Sequence, residues 1–549
     1  MFPLLMNYKR ASVMLKSIIA SFCLLAPLFF SPIAATADVP AFTFADVQAK
    51  AQDLARAPYA ATPAVPEFLS KMNHADWHAI RFRPEKAIWA SEELPFNIQF
   101  FHPGLYYDRP VRVHVFDSSS VAPVAFDASM FQYGSEALAR QTAETKELGF
   151  AGFRLHYPLN RPDYKDEVAV FVGASYFRAL AKGNRYGISS RGLALDTACA
   201  QGEEFPYFKE FWIERPAPNA KSITVYALMD SPSLAGAYRF VITPGAPTVM
   251  DVKCALFARK GGRNFEKVGL APLTSMFFYG EEKNGRPGDF RPEVHNSDGF
   301  IFENGKDWTW VPLDNPKRLS VTSFPMSNLR SFGLLQRDSD FKSYHDLAAR
   351  YEKRPSLWVK PDGDWGRGSL NLVKIPTEDE MHDNIVAFWC PDKPRTEATA
   401  DQPATELPYP ELMMYGWKLF WLPPDVALHD LGAATSTRIS HSGDTMTFHV
   451  DFEGGMLKTL APDTGLASIV ELPEYVTPIS KKLSYNPATH GWRLEFTFRL
   501  PQKGGLLDKL SSARKGPLPL RFKAFLKQGE NLPDPITETW IYDWQLLPM

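Results

Sequence analysis

Gly491–Leu500 reads GWRLEFTFRL. Trp492, Leu494, Phe496, Phe498 and Leu500 alternate with Arg493, Glu495, Thr497 and Arg499. A strand turns successive side chains to opposite faces, so such a run buries one face and wets the other. Working outward, the same period of two recurs at Met446, Phe448, Val450 and Phe452, at Leu520, Phe522, Ala524 and Leu526, and at Ile223, Val225, Ala227 and Met229. Frequent Gly and Pro supply turns between the runs. The pattern predicts an all-β chain of antiparallel sheets packed as sandwiches. No strand–helix rhythm argues for a doubly wound sheet. Three helices are expected: one capped by Thr43 that buries Val47, Ala51 and Leu54 and stops before Pro58, one over about 341–353, and a short one holding Leu506, Leu507 and Leu510.

The chain has 549 residues, 45% of them hydrophobic and 22% charged, with a formal balance of −2. That composition excludes a mainly disordered chain. A near-neutral balance gives no general field for nucleic acid. Lys9, Arg10 and Lys16 precede an apolar run from Ile18 to Phe30, and Ala35-Thr36-Ala37 follows with small residues. This order predicts a secretory signal peptide over 1–37 and an exported, soluble mature chain. Cleavage removes three basic residues and no acidic one, taking the balance from −2 to −5. Cys199, Cys254 and Cys390 remain, so one disulfide at most forms and a disulfide-dependent scaffold is excluded.

Pro391–Pro410 reads PDKPRTEATADQPATELPYP. It has no apolar period, and proline stiffens the backbone without donating, so 393–410 is the expected linker. It divides a large β domain, 38–392, from a carboxy-terminal part, 411–549. The latter has the size and strand pattern of an immunoglobulin-like sandwich.

The chain lacks GxSxG, HExxH, the P-loop and GxGxxG, which lowers the expectation of serine, zinc or nucleotide chemistry. Two acidic clusters stand out. Thr377–Asn384, TEDEMHDN, leads directly into the apolar run Ile385–Trp389. Carboxylates at the mouth of a strand are either a solvated loop or a rigid acid facing a cleft. An acid that is partly desolvated, or beside like charges, keeps its proton near neutral pH, as protonation of a glycosidic oxygen requires. Arg291–Gly299, RPEVHNSDG, is the second cluster, and its Asn-Ser-Asp-Gly is also ordinary turn chemistry. Trp308, Trp310, Tyr351, Arg354, Trp358 and Trp365 lie between the two in sequence. Aromatics stack on the C–H faces of sugars and arginines bind hydroxyls, although tryptophan in a β domain commonly packs the core. His295 and His382 lack a ligand spacing, so neither a metal nor a cofactor is expected.

Read at these residues, the chain resembles the osmoregulated periplasmic glucan biosynthesis proteins of the G and D type. The likeness runs from the helix near Phe44 through LGFAGFRLHYPLN, GASYFRAL, YGISSRGLALDTA, GEEFPYFKEFWIERP and LAPLTSMFFYG. It continues through RPEVHNSDG, FGLLQRDSDF, RYEKRPSLWV, WGRGSLNLVKIPTEDEMHDNIVAFW and NPATHGWRLEF. The resemblance implies a large amino-terminal β-sandwich of the carbohydrate-active, mutarotase-like kind, joined to an immunoglobulin-like domain. It implies a periplasmic protein that cleaves or transglycosylates a β-1,2-linked glucan. A noncatalytic factor that binds glucan or works with a membrane glucan synthase is the rival expectation. The family's general acid, in the segment D-E-x-x-D-N, falls on Asp383, with Glu380 expected to keep it protonated by like-charge proximity. Tyr351 and Arg354 of RYEKRPS fall on sugar contacts, and Trp365 and His295 are expected beside them. Hydrolytic members carry Asp after the His of an H-D-S motif, where this chain has Asn296, with Asp298 two places on. An amide cannot accept a proton, so three routes are open: Asp298 substitutes, a sugar hydroxyl is the acceptor, or the protein only binds glucan.

Overall fold

Val268–Ser275 and its neighbour Ile385–Pro391 are buried at every position. Their side chains have no wet face, which marks them as strands covered on both sides. They lie inside a ten-stranded sheet, one of two large sheets in the protein. The computed structural model describes residues 42–546 except 283–284, 398–403, 425, 475, 501–517 and 530–533. The expected signal peptide and the helix expected around Leu506–Leu510 lie outside the described residues.

The second sheet has fourteen strands, with Leu234–Thr243, Thr248–Ala258 and Leu412–Leu422 near its middle. The architecture is mainly β, as the alternation predicts. Apolar faces of the two sheets meet in one core. Phe171 of the ten-stranded sheet sits 5.7 Å from Phe211 and 5.2 Å from Phe240 of the other, measured between ring centres. Phe44–Arg56 is the expected first helix, with Thr43 N–H donating to Asp46 Oδ2 at 2.7 Å. It buries Val47, Ala51 and Ala55, and Leu54 is only half-buried.

The expected helix over 341–353 is absent. Phe341–Ser343 and Tyr351–Lys353 are single 3₁₀ turns. Between them His345 and Arg350 take φ of +54° and +50°, which no right-handed helix accommodates. The backbone coils instead so that Tyr344 and Tyr351 both turn inward.

The division at the proline-rich segment is placed differently by the hydrogen bonding. Leu412–Leu422 pairs with Thr248–Ala258 on one edge and Ser356–Pro361 on the other, so it is a strand of the large sheet. Its Trp417 and Trp421 fill the first core. The flanks of the segment fold back on each other: Thr396 N–H donates to Thr405 O at 2.9 Å, and Leu407 N–H to Pro394 O at 2.7 Å. Prolines here mark a surface excursion between two strands of one fold.

A second core lies between a four-stranded sheet, which contains Thr445–Glu453 and Gly491–Arg499, and the end of the large sheet. Phe448 stands 5.2 Å from both Phe522 and Trp540. Thr539–Leu546 joins the large sheet through a parallel pairing of Trp540 with Trp310. One buried ion pair stitches the two cores. Glu538 is fully buried and accepts from Arg337 Nη1 at 2.9 Å, Arg337 Nη2 and Ala434 N–H at 2.9 Å, with His429 Nε2 at 2.7 Å. Burial by itself raises the Glu538 pKa, but the Arg337 charge and the hydrogen bonds outweigh it and hold the carboxyl at about 2.

A carboxylate with a depressed pKa stabilises the fold above its ordinary value of 4.5 and loses that contribution as pH falls toward about 2. Glu538→Gln is expected to cost about 3 kcal/mol in urea unfolding at pH 7, because it removes the charge that compensates the half-buried Arg337. The same variant should lack roughly 3 kcal/mol of the acid-induced loss that the wild type shows through this window.

Candidate active site

Asn384 is 2% exposed and its amide is fully used. Its Oδ1 accepts from Phe277 N–H at 2.8 Å, and its Nδ2 donates to Phe277 O at 2.9 Å and to Ile375 O at 3.0 Å. Its own N–H reaches Ser275 O at 3.0 Å. A buried amide satisfied on every side fixes the backbone on which Asp383, the preceding residue, stands.

Asp383 keeps part of its side chain open to solvent. Protein atoms on its other side nevertheless desolvate the carboxyl. This desolvation raises the carboxyl pKa, against the opposing charges of Arg191 and Arg178 and the nearby Thr274 hydroxyl. Glu380 does not supply the shift, contrary to the like-charge expectation. Its charge is taken up by Arg291 Nη1 at 2.7 Å, and it accepts from the Tyr351 hydroxyl at 3.2 Å. Arg291 also binds Asp289 at 2.8 Å and Asp346 at 3.0 Å, so it is a scaffold cation saturated by carboxylates.

A different set of arginines lies on tyrosines near Asp383. Arg354 lies 5.3 Å from the Tyr351 ring, Arg178 4.3 Å from Tyr186, and Arg191 4.8 Å from Tyr176. Among the described residues Arg178, Arg185 and Arg354 form no ion pair, whereas Arg191 pairs with Glu203 at 2.6 Å. Burial lowers the Arg354 pKa, and the charges of Arg178 and Arg185 add to this. Its Nε has no partner among the described residues. A desolvated guanidinium without an anion is costly unless hydroxyls or water take its donors.

The second acidic cluster meets the first across Met276 and Phe277. Asn296 N–H donates to Met276 O at 2.8 Å, and Phe277 pairs with His295. Asn296 Nδ2 points to Gly187 O at 3.4 Å. Gly187 packs so tightly on Arg354 that an added Cβ would lie 2.9 Å from Arg354 Cδ. Asn296 Oδ1 has no partner among the described residues. Asp298 Oδ2 accepts from the N–H groups of Arg337 and Asp338, each at 2.8 Å, while Oδ1 is left unpartnered. Burial pushes its pKa up to about 6, against the His295 and Arg337 charges. Asp298 borders a cavity of about 50 Å³ shared with Glu281, Glu293, His295 and Thr435–Thr437.

The full sequence matches the family described as periplasmic glucan biosynthesis protein, MdoG, over residues 42–544. A glucans biosynthesis protein G from Ralstonia nicotianae is 43% identical over 92% of this chain and 96% of its own. Those of Pseudomonas paraeruginosa and Dickeya dadantii are 42% and 40% identical, over 92% and 91% of this chain and 93% of their own. The chain belongs to the periplasmic glucan biosynthesis protein family. Its place is the periplasm. No helix among the described residues is long and apolar enough to cross a membrane.

Measured against this family member's structure, the sequence-predicted residues divide. Glu380, Tyr351, Arg354 and Asn296 are linked through shared neighbours, and Asp383 lies three residues from Glu380. His295 is instead fully buried between Gln336 Oε1 at 2.9 Å and Glu293 Oε2 at 2.8 Å. Burial lowers its pKa, but the Glu293 bond and charge outweigh that and raise it to about 8. Trp365 is a core residue, 6% exposed, with its indole N–H on Gly416 O at 3.1 Å and its ring against Tyr415 and Trp417. Trp308 and Trp358 stack on each other, and Arg337 covers Trp310, so these rings are packing as well. The sequence reading missed Tyr176, Arg178, Tyr186 and Arg191. Their signal was aromatic and arginine residues interleaved within YFRAL and YGISSR. Among the described residues no three His, Cys, Asp or Glu side chains gather as a metal site. Cys199, Cys254 and Cys390 are all unpaired.

Asn384→Ala is expected to destabilise the protein by about 2–4 kcal/mol in chemical unfolding, since it orphans the Phe277 N–H and two carbonyls. Under conditions where the variant stays folded, hydrogen exchange at Phe277 should rise, because that N–H loses its partner.

Proposed function

We propose that the protein processes the β-1,2-linked backbone of periplasmic glucans, with Asp383 as general acid. One observation carries this reading: a solvent-reachable carboxyl with a raised pKa lies near Arg191 and Arg178, of which Arg178 has no carboxylate partner among the described residues and packs on Tyr186. Sugar hydroxyls satisfy those guanidinium donors without adding an anion. Asp383 gives its proton to the bridging oxygen as the bond from the anomeric carbon breaks. Glu380 is held by Arg291 and Tyr351 as a sugar acceptor. An acceptor hydroxyl, of water or of a second sugar, attacks the anomeric carbon while donating a hydrogen bond to Asn296 Oδ1. Asn296 orients that hydroxyl and cannot take its proton, which leaves through water to the Asp298 carboxylate. This weak base side favours transfer to sugar over hydrolysis. We also read the amino-terminal sheets as a mutarotase-like sandwich and the second core as immunoglobulin-like.

Asn296 equally favours a second reading, a noncatalytic glucan-binding factor serving a membrane glucan synthase. Incubation of the mature protein with linear β-1,2-glucan, followed by product sizing, separates the two. Redistributed chain lengths that vanish in Asp383→Asn support the enzyme. Unchanged glucan with the wild type, together with in-cell glucan synthesis that survives Asp383→Asn, supports the binding factor.

Asn296→Asp is expected to raise the hydrolytic product by about tenfold or more, since a carboxylate at that position restores a base. Reducing-end assays at matched protein concentration measure it. An unaltered rate means that position 296 does not meet the acceptor.

A further inference from the structure

Away from Asp383 lies a pocket of about 280 Å³ lined in part by Tyr106, Tyr107, Asp108, Arg109, Phe205 and Tyr207. Two of its rings stand in water: Tyr106 is 82% exposed and Phe205 52%. Exposed aromatics on rigid backbone are a costly use of apolar surface unless something covers them. The backbone here is rigid. Pro103 and Pro110 bracket the turn, Gly104 and Tyr107 exchange backbone hydrogen bonds at 3.0 and 2.9 Å, and Leu105 N–H is tied to Leu69 O at 2.9 Å. Tyr107 packs against Trp77 at 5.3 Å and against Gly173, where a Cβ would lie 3.2 Å from the ring. The Tyr207 hydroxyl accepts from Thr62 N–H at 3.2 Å, and Arg109 lies 5.6 Å from the Tyr207 ring.

This pocket neighbours the arginines that surround Asp383. Arg191, whose charge acts on Asp383, lies 5.7 Å from the Phe205 ring. Arg178, which also acts on Asp383, acts on the Tyr107 hydroxyl as well.

We propose that the pocket is a further saccharide site, in which a segment of the same glucan chain that crosses Asp383 stacks on Phe205 and Tyr106. This rests on the reading of the cleft as a β-1,2-glucan site. Flat apolar rings with a polar rim match the C–H faces and hydroxyls of a pyranose. Arg109 and Asp108 balance each other in charge, which suits an uncharged sugar better than an anionic headgroup. The volume sits near the lower end of small-ligand pockets, about 300 Å³, and is too small for a folded protein segment.

The test uses the full mature chain carrying Asp383→Asn, so that glucan is not consumed. Calorimetry measures binding of a β-1,2-linked trisaccharide and of a long linear β-1,2-glucan. Adding Tyr106→Ala and Phe205→Ala together should weaken the long chain by about tenfold and leave the trisaccharide unchanged, while Phe205→Trp keeps long-chain affinity. Both residues are exposed, so an unaltered thermal midpoint is expected and checks the fold. Equal long-chain affinity in the double variant overturns the proposal, as does an equal loss for both chain lengths. If the Asp383→Asn protein binds neither saccharide, the glucan reading of the cleft fails and the pocket falls with it. Tight binding that ignores Tyr106 and Phe205 removes the pocket alone.

Discussion

The site depends on one buried side-chain amide. Asn384 substitutes for a strand partner: it gives Phe277 the acceptor and the donor that a neighbouring backbone would have given. The turn 376–383 carries polar, mostly exposed residues that cannot anchor themselves by burial. Without the amide, Asp383 would hang on a loop. With it, the carboxyl is set one residue from a fixed point on the strand entry, and Phe277 on the other side fixes His295. Two acidic segments some ninety positions apart are registered through a single dipeptide, Met276-Phe277. Buried amides of this kind are high-stakes, since an unmade bond costs the full desolvation of each group left behind.

Charge in the protein is arranged in two ways. Arg291 and Arg337 are enclosed by carboxylates that neutralise them. Such pairs hold the fold in one geometry and have nothing left to offer a ligand. Arg178, Arg185 and Arg354 have no carboxylate partner among the described residues and sit beside tyrosines or one another. Their donors are the free capacity of the site. Arg191 and Arg178 also restrain Asp383: their charges lower its pKa, and desolvation outweighs them.

The carboxy-terminal strands take part in the same arrangement. Glu281 accepts from the Ser436 hydroxyl at 2.8 Å and from Thr437 N–H. Thr435–Thr437 wall the small cavity on which Asp298 and His295 border. Burial there raises Asp298 to about 6, while Glu293 holds His295 up at about 8 against the same burial. The two cores share a sheet and an ion pair, and residues of both line this cavity.

Sequence alone determined the strands, because a period of two in Trp492–Phe498 or Met446–Phe452 is a local property that only a half-buried strand satisfies. It determined the first helix and the family, since capping signals and family motifs are contiguous. What it could not determine was set by long-range contact. The proline-rich stretch looks like a joint, yet Leu412–Leu422 inserts into the first sheet because both of its edges find partners there. Trp365 and His295 have the chemistry of sugar contacts, and packing turned them inward once Gly416 and Glu293 offered their hydrogen bonds. Which arginine is neutralised and which is free depends on carboxylates far away in the chain. Only the folded backbone decides that, because a Coulomb partner is chosen by distance in space.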